Sequence, residues 1–142
     1  MSYVPLRVSD YMTRNLVTTT PDTDITHVVR ILVDKDVSGV LVVADDGALV
    51  GMLTERDCLA AATSAGYFDE LGGPVRKYMS TPVETVSSRD NLVDIAIRMT
   101  QSPHRRFPVV DDNRLVGLIS RRDVLRALGS GAWFAKKGKE QV

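Results

Sequence analysis

Apolar residues recur at helical spacing shortly after residue 24. The positions fall at i, i+3, i+4, i+7 and i+8, and they are Ile25, Val28, Val29, Leu32 and Val33. This spacing predicts a helix with one apolar face. Either Thr23 or Asp24 can cap the N-terminus of that helix, because both side chains carry an oxygen that accepts a backbone N–H.

Two short apolar runs follow the helix and predict a hairpin. They cover residues 40–43 and 49–53, and they flank the turn sequence Asp45-Asp-Gly47. An Asp-Gly pair favours the positive φ that tight hairpin turns require. A β-prone stretch at residues 17–20 predicts a first strand, and a second helix is expected from about Thr54.

The whole pattern occurs twice. Tyr11-Met-Thr13 recurs as Tyr78-Met-Ser80, and residues 49–57 recur as residues 115–123. The second copy predicts strands near residues 84–86, 107–110 and 115–119, with helices over residues 92–99 and 120–128. Units of about 60 residues leave too much apolar surface exposed when alone. We therefore predict an α+β protein of two βαββα repeats that pack on each other.

The boundaries of these parts follow from composition. The repeats cover residues 8–63 and 75–128, a glycine-rich loop at 64–74 connects them, and a tail runs from 129 to 142. The formal net charge is zero, with 18 basic and 18 acidic residues, which argues against a general attraction to nucleic acid or to anionic membranes. The single cysteine, the lack of a signal-peptide pattern and the lack of a membrane-length apolar run predict a cytoplasmic protein.

The junctions Thr54-x-x-Asp57 and Ser120-x-x-Asp123 carry the main candidate chemistry. A hydroxyl residue followed three positions later by an acid is typical of a helix capping box, and this is the purely structural interpretation. Each junction also follows a Leu-Val-Gly strand end, where glycine would let a ligand approach the backbone, and each stands at a helix N-terminus that favours anions. An aspartate there can accept the two hydroxyls of a ribose. The residue set therefore suits a nucleotide.

Arginines are concentrated in the second copy. Between residues 103 and 126 there are six arginines and three aspartates, and arginine forks suit phosphate. A solvated surface paired with nearby acids is the alternative interpretation. Common nucleotide-loop, zinc-protease and serine-hydrolase motifs do not occur, and Cys58 beside Asp57 is expected to pack rather than react. No enzyme activity, required cofactor or metal site is predicted.

These residues resemble a known family. The doubled Gly-x-x-Thr/Ser-x-x-Asp, the Tyr-Met-Thr/Ser starts and the stretch Arg105-Arg-Phe-Pro-Val-Val110 are similar to a tandem pair of cystathionine β-synthase-type (CBS) repeats, also called a Bateman module. The resemblance covers about residues 8 to 128. It implies two βαββα repeats packed with pseudo-twofold symmetry, with two clefts that in many members bind AMP, ADP, ATP or S-adenosylmethionine.

The resemblance also implies roles for individual residues. Asp57 and Asp123 would bind the ribose hydroxyls, and Thr54 and Ser120 would bind ribose or phosphate. Adenine would contact Pro82 and Val83 on the Asp57 side, and Asn15 and Leu16 on the Asp123 side. The residues implied to bind phosphate are Ser38, Arg105, Arg106, Arg56 and Arg122. Because Arg105-Arg106 in copy two replaces Ser38-Gly39 of copy one, the two clefts are expected to bind unequally.

The function expected from this is a non-enzymatic adenosine-nucleotide sensor. It would be a homodimer, since such modules commonly dimerise through their helices. It would regulate a protein partner in trans, because such repeats usually regulate an attached enzyme, channel or transporter and these 142 residues leave no room for one. An interaction module with vestigial clefts is the first alternative, and a nucleic-acid binder that uses the arginines is a weaker one.

Overall fold

The structure, a computed structural model, describes residues 6–65 and 72–131. Its helices and strands are, in chain order, α1 (Val8–Tyr11), β1 (Thr18–Thr19), α2 (Ile25–Asp34), β2 (Gly39–Val43), β3 (Leu49–Thr54), α3 (Glu55–Ala65), α4 (Leu92–Gln101), β4 (Arg106–Asp111), β5 (Arg114–Ser120) and α5 (Arg121–Gly129), with a 3₁₀ turn at Val75–Lys77. The fold is α+β and contains two repeats of strands and helices. Residues 132–142 of the predicted tail and residues 66–71 of the predicted connecting loop lie outside the described residues.

The described residues form two compact units. The unit that holds copy one, here called the Asp57 unit, contains residues 17–65, 72–83 and 113–115, and the Asp123 unit contains residues 6–16, 84–112 and 116–131. The segment that opens each copy thus belongs to the unit built on the other copy. Val8 in α1 is fully buried in the core cluster of the Asp123 unit, and Val75 in the 3₁₀ turn is fully buried in that of the Asp57 unit.

A three-stranded sheet supports the Asp57 unit. Strand β1 pairs in parallel with β2, and β2 pairs antiparallel with β3 in the register Val40↔Leu53. The turn between β2 and β3 places Gly47 at φ +90°, as the Asp-Gly pattern predicts. Helix α2 buries Ile25, Val28 and Leu32 in this unit. Val33 was predicted on the same apolar face, but it is 73% exposed, because it lies beyond the edge of the stripe that meets the sheet.

The Asp123 unit repeats this plan with one difference. Strands β4 and β5 form a two-stranded sheet, and α4 buries Leu92, Ile95 and Met99. The strand predicted near residues 84–86 is reduced to one parallel bridge between Val86 and Val109. None of the helices described approaches the length of a membrane span, since the longest, α3, has 11 residues where about 20 are needed.

Candidate functional site

Asp57 closes a capping box where β3 passes into α3. Its Oδ2 accepts a hydrogen bond from the Thr54 N–H at 2.9 Å and from the Thr54 hydroxyl at 3.0 Å, and the Asp57 N–H donates to Thr54 Oγ1 at 3.2 Å. These bonds satisfy backbone groups at the start of the helix and place the carboxylate where the free N–H groups of the first turn favour an anion. The capping interpretation is therefore confirmed as local structure. It fixes the carboxylate without using its second oxygen.

The second oxygen of Asp57 faces the hydroxyl of Ser80. Ser80 Oγ lies 3.1 Å from Asp57 Oδ1 and 3.3 Å from Oδ2. The backbone of Ser80 is held by a two-way pairing with Met52 of β3, at 2.8 and 3.1 Å. Ser80 is exposed and Asp57 is half-buried, so the contact on Oδ1 is a neutral donor at the surface.

Asp123 closes the same box at the start of α5. Its Oδ2 accepts from the Ser120 N–H at 2.9 Å, and its own N–H donates to Ser120 Oγ at 3.1 Å. The environment of the other oxygen differs, because Arg126 Nη2 donates to Asp123 Oδ1 at 2.6 Å. The same Arg126 nitrogen lies 3.2 Å from the carbonyl oxygen of Tyr11. Only 8% of the Asp123 side chain is exposed.

The glycine of each Leu-Val-Gly strand has a packing role, which corrects the interpretation that it admits a ligand. A Cβ on Gly51 would lie 2.6 Å from Met79 Sδ, and a Cβ on Gly117 would lie 2.6 Å from Met12 Sδ. Both distances are far below van der Waals contact. The methionine of each Tyr-Met-Thr/Ser segment therefore covers the glycine of the strand beside it. The glycine and the methionine thus recur in both copies because they pack against each other.

The residues expected to bind phosphate lie at the same place in each copy. The carbonyl of Ser38 accepts from the Glu55 N–H at 2.9 Å, and the carbonyl of Arg105 accepts from the Arg121 N–H at 2.9 Å. Ser38 and Arg105 thus stand next to the first residue of α3 and of α5. The remaining phosphate candidates are placed by sequence in the same strand start or first helical turn, with Arg106 half-buried and Arg56 and Arg122 exposed.

Two arginines of the predicted cationic group serve the fold. Arg121 Nη2 donates to the carbonyl of Ser102 at 3.2 Å and lies 3.4 Å from that of Met99, which satisfies carbonyls at the C-terminal end of α4. Arg126 is paired with Asp123, as described above. The free cationic surface is therefore smaller than the sequence count suggests.

Each pair of adenine-side candidates lies in the same unit as the aspartate with which the resemblance associates it. Asn15 and Leu16 follow Thr13, whose backbone pairs with Leu118 at 2.8 and 2.9 Å, and all lie in the Asp123 unit. In the same way, Pro82 and Val83 follow Ser80 in the Asp57 unit. Asn15 and Pro82 are exposed, and Leu16 and Val83 are half-buried. Their contact with a base stays a prediction.

Cys58 packs beneath the Asp57 junction. It is 8% exposed and belongs to the apolar cluster of that unit. Burial raises the pKa of its thiol, and the negative charges of Asp57 and Glu55 raise this pKa further. A thiol that stays protonated is a poor nucleophile, so the packing role predicted for Cys58 fits its surroundings.

Comparison with known proteins identifies the repeats. A family model described as the CBS domain matches residues 8–64 and residues 75–130. The chain belongs to the CBS domain family. The CBS domain-containing protein YhcV of Bacillus subtilis is 33% identical over 117 residues, which are 82% of this chain and 81% of that protein. Two longer relatives from Methanocaldococcus jannaschii are similar over 43% and 31% of their own length, so this CBS pair spans less than half of either.

Solved structures of CBS pairs are similar to the chain. The crystal structure of CBSX2 of Arabidopsis thaliana in complex with AMP matches with a TM-score of 0.77 and 30% identity, over 87% of this chain and 96% of that one. The CBS domain pair of MJ0100, in complex with 5′-methylthioadenosine and S-adenosyl-L-methionine, matches with a TM-score of 0.72 and 25% identity, over 89% and 98%. The fold of the present chain is thus one on which adenosine compounds have been observed in other proteins.

Sequence reasoning missed two residues that touch the aspartates. In the sequence, Ser80 is only part of a repeated segment and Arg126 is only one of six arginines. The offset between the copies carries a signal for Arg126, because position 126 corresponds to Ala60 at the same spacing that relates Asp123 to Asp57. No comparable sequence signal joins Ser80 to Asp57, since 23 residues separate them.

Proposed function

We propose that the protein is a non-enzymatic regulatory module that binds an adenosine ligand, AMP, ADP, ATP or S-adenosylmethionine, through the Asp57 junction. The observation that carries this proposal is the hydrogen bonding of the Asp57 carboxylate. One of its oxygens is fixed by the capping box, and the other meets only the Ser80 hydroxyl among the described residues. A ribose hydroxyl can replace such a donor at little cost, because one hydroxyl that donates to the carboxylate is exchanged for another.

The AMP complex of CBSX2 and the two adenosine compounds bound to MJ0100 support the ligand class. In this proposal Thr54 lies beside the ribose or phosphate, and Pro82 and Val83 contact the base. Ser38 and Arg56 stand near the start of α3 and are the phosphate candidates of this unit.

Isothermal titration calorimetry tests the proposal. AMP, ADP, ATP, S-adenosylmethionine and 5′-methylthioadenosine are titrated into the wild type and into Asp57→Asn, which keeps an acceptor for the Thr54 N–H but removes the charge. We expect one or more of these compounds to bind the wild type, and Asp57→Asn to weaken that binding about 10- to 100-fold, as expected for hydrogen bonds to a charged group.

Asp45→Asn is the matched control, since it makes the same charge change at an exposed turn residue. Its affinity should equal that of the wild type. Absence of binding by every compound, in protein whose circular dichroism shows it folded, would contradict the proposal.

We also propose that the module is a cytoplasmic homodimer that acts on a protein partner in trans. Exposed leucines on the helix that follows each junction support an interface. Leu59 on α3 is 67% exposed, and Leu125 and Leu128 on α5 are 58% and 37% exposed. In analytical ultracentrifugation the wild type should sediment as a dimer, and the double variant Leu59→Asp/Leu125→Asp should sediment as a monomer. If these leucines bind a partner while no adenosine compound binds, the protein is an interaction module with vestigial ligand sites.

A further inference from the structure

The two aspartates differ in what occupies their free oxygen. At Asp123, Oδ2 accepts the Ser120 N–H and Oδ1 accepts the guanidinium of Arg126 at 2.6 Å. At Asp57, no described arginine or lysine forms an ion pair, and Oδ1 meets a neutral hydroxyl. The residue that makes this difference is at one position of the repeat, Arg126 in copy two and Ala60 in copy one.

Arg126 is held by more than its ion pair. The same Nη2 atom lies 3.2 Å from the carbonyl of Tyr11 in the segment that α5 packs against. The side chain of Asp123 is 8% exposed and that of Arg126 is 57% exposed, so the carboxylate is shielded from water while the guanidinium is partly solvated, which moderates their attraction. The donor to Asp123 is a cation, whereas the donor to Asp57 is an uncharged hydroxyl, so only Asp123 also gains the attraction of an opposite charge.

We infer that Arg126 closes the Asp123 junction to ribose, and that Ala60 leaves the Asp57 junction open. The inference rests on the proposed function and deepens it. Each chain binds one adenosine ligand, at Asp57, and the residue at this position of the repeat selects the junction. To bind at Asp123, a ribose must displace a cation from a carboxylate that is largely buried. To bind at Asp57, it displaces a hydroxyl that water can satisfy.

Mutation can exchange which of the two junctions is open to a ribose. Ala60 is exposed and lies three residues after Asp57, as Arg126 lies three residues after Asp123. An arginine at position 60 therefore has the helical spacing needed to reach Asp57. The variant Ala60→Arg should close the open junction, and Arg126→Gln should open the closed one.

The experiment is calorimetric titration with 5′-methylthioadenosine and with AMP. 5′-Methylthioadenosine has no phosphate, so it does not report attraction to arginine. AMP carries a phosphate, so its binding also includes any attraction between that phosphate and arginine. We expect the wild type to bind one equivalent per chain, Ala60→Arg to weaken binding at least about tenfold, and Thr63→Arg, one turn further along α3, to bind as the wild type does. In the Asp57→Asn background, Arg126→Gln should strengthen the residual binding of 5′-methylthioadenosine at least about tenfold. Arg89→Gln, an exposed arginine of the same unit, should leave it unchanged.

The outcomes separate the inference from the proposed function. Two equivalent sites per wild-type chain, or unchanged binding in Ala60→Arg, would overturn the inference while the proposed function stands. A loss of AMP affinity in Arg126→Gln would also overturn it, because Arg126 would then bind phosphate. If neither these probes nor the other adenosine compounds bind the wild type, the proposed function fails and the inference fails with it. The Ala60→Arg result is independent of any effect of Arg126→Gln on folding.

Discussion

The Asp57 and Asp123 junctions have the same backbone design and different side-chain surroundings. Both have a capping box with bond lengths that agree within about 0.1 Å, and both have a glycine covered by a methionine. They differ at Oδ1, the carboxylate oxygen that the capping box does not use. Ser80 donates to Oδ1 of Asp57, and Arg126 donates to Oδ1 of Asp123. The comparison shows that a repeated motif specifies a local fold, whereas its binding capacity depends on residues outside the motif.

The largest predicted effect concerns the glycine and methionine contacts. Gly117→Ala should destabilise the protein by about 1 to 3 kcal/mol, the usual cost of overpacking. Its Cβ would lie 3.1 Å from the backbone oxygen of Thr13 as well as against Met12, so a side-chain rotation cannot relieve the contact. Gly51→Ala should cost less, because its three nearest atoms all belong to the flexible Met79 side chain. Urea unfolding of both variants measures the difference, and equal costs would show that the backbone contact is not limiting.

The capping boxes should respond alike. Thr54→Ala and Ser120→Ala each remove one hydroxyl that accepts a backbone N–H, at 3.2 and 3.1 Å. Each substitution should lower the free energy of unfolding by about 0.5 to 2 kcal/mol. Thermal or urea unfolding provides the comparison. A cost confined to one junction would mean that the boxes are not equivalent in stability, contrary to their matching geometry.

The smallest predicted effect is a pH dependence at the cap of α2, which the cap of α4 does not share. Asp24 caps α2, and Asn91 caps α4 at the corresponding position. The side-chain hydrogen bond from Thr26, followed by its backbone N–H, holds the pKa of Asp24 below the usual 3.8. A lowered pKa in the folded state means that the unfolded state binds more protons in this range, so the stabilisation is full above about pH 4 and is lost as the pH falls through the folded-state value.

Asp24→Asn should therefore remove part of the acid sensitivity. The difference in unfolding free energy between the wild type and Asp24→Asn should shrink as the pH falls below 3.8, as measured by urea unfolding at a series of pH values. Asn91→Asp is the reciprocal variant and should introduce an acid-sensitive contribution at the cap of α4, in addition to that of Asp111 in the same unit. A pH profile that Asp24→Asn leaves unchanged would contradict this assignment.

Much of the fold was predictable from periodicity. Helix α2, helix α4 and the hairpin of β2 and β3 were expected from apolar spacing and from the turn at Gly47, and they are present. The four-residue helix α1 and the 3₁₀ turn at Val75–Lys77 were missed, because segments this short carry no apolar period. The first strand of copy two was overestimated, since β propensity alone does not determine how many residues pair with a neighbouring strand.

The sequence by itself determined the repeat, the helices and the strand-to-helix junctions, because these depend on residues close together in the chain. Only the tertiary structure decided which segment completes each unit. It brings Met12 onto Gly117 and Ser80 onto Asp57, across separations that no local pattern records. It also turns Arg126 from a cation available to phosphate into the partner of Asp123. The physical reason is that side-chain contacts between distant segments depend on how the core packs, and that packing is settled only when the whole unit folds.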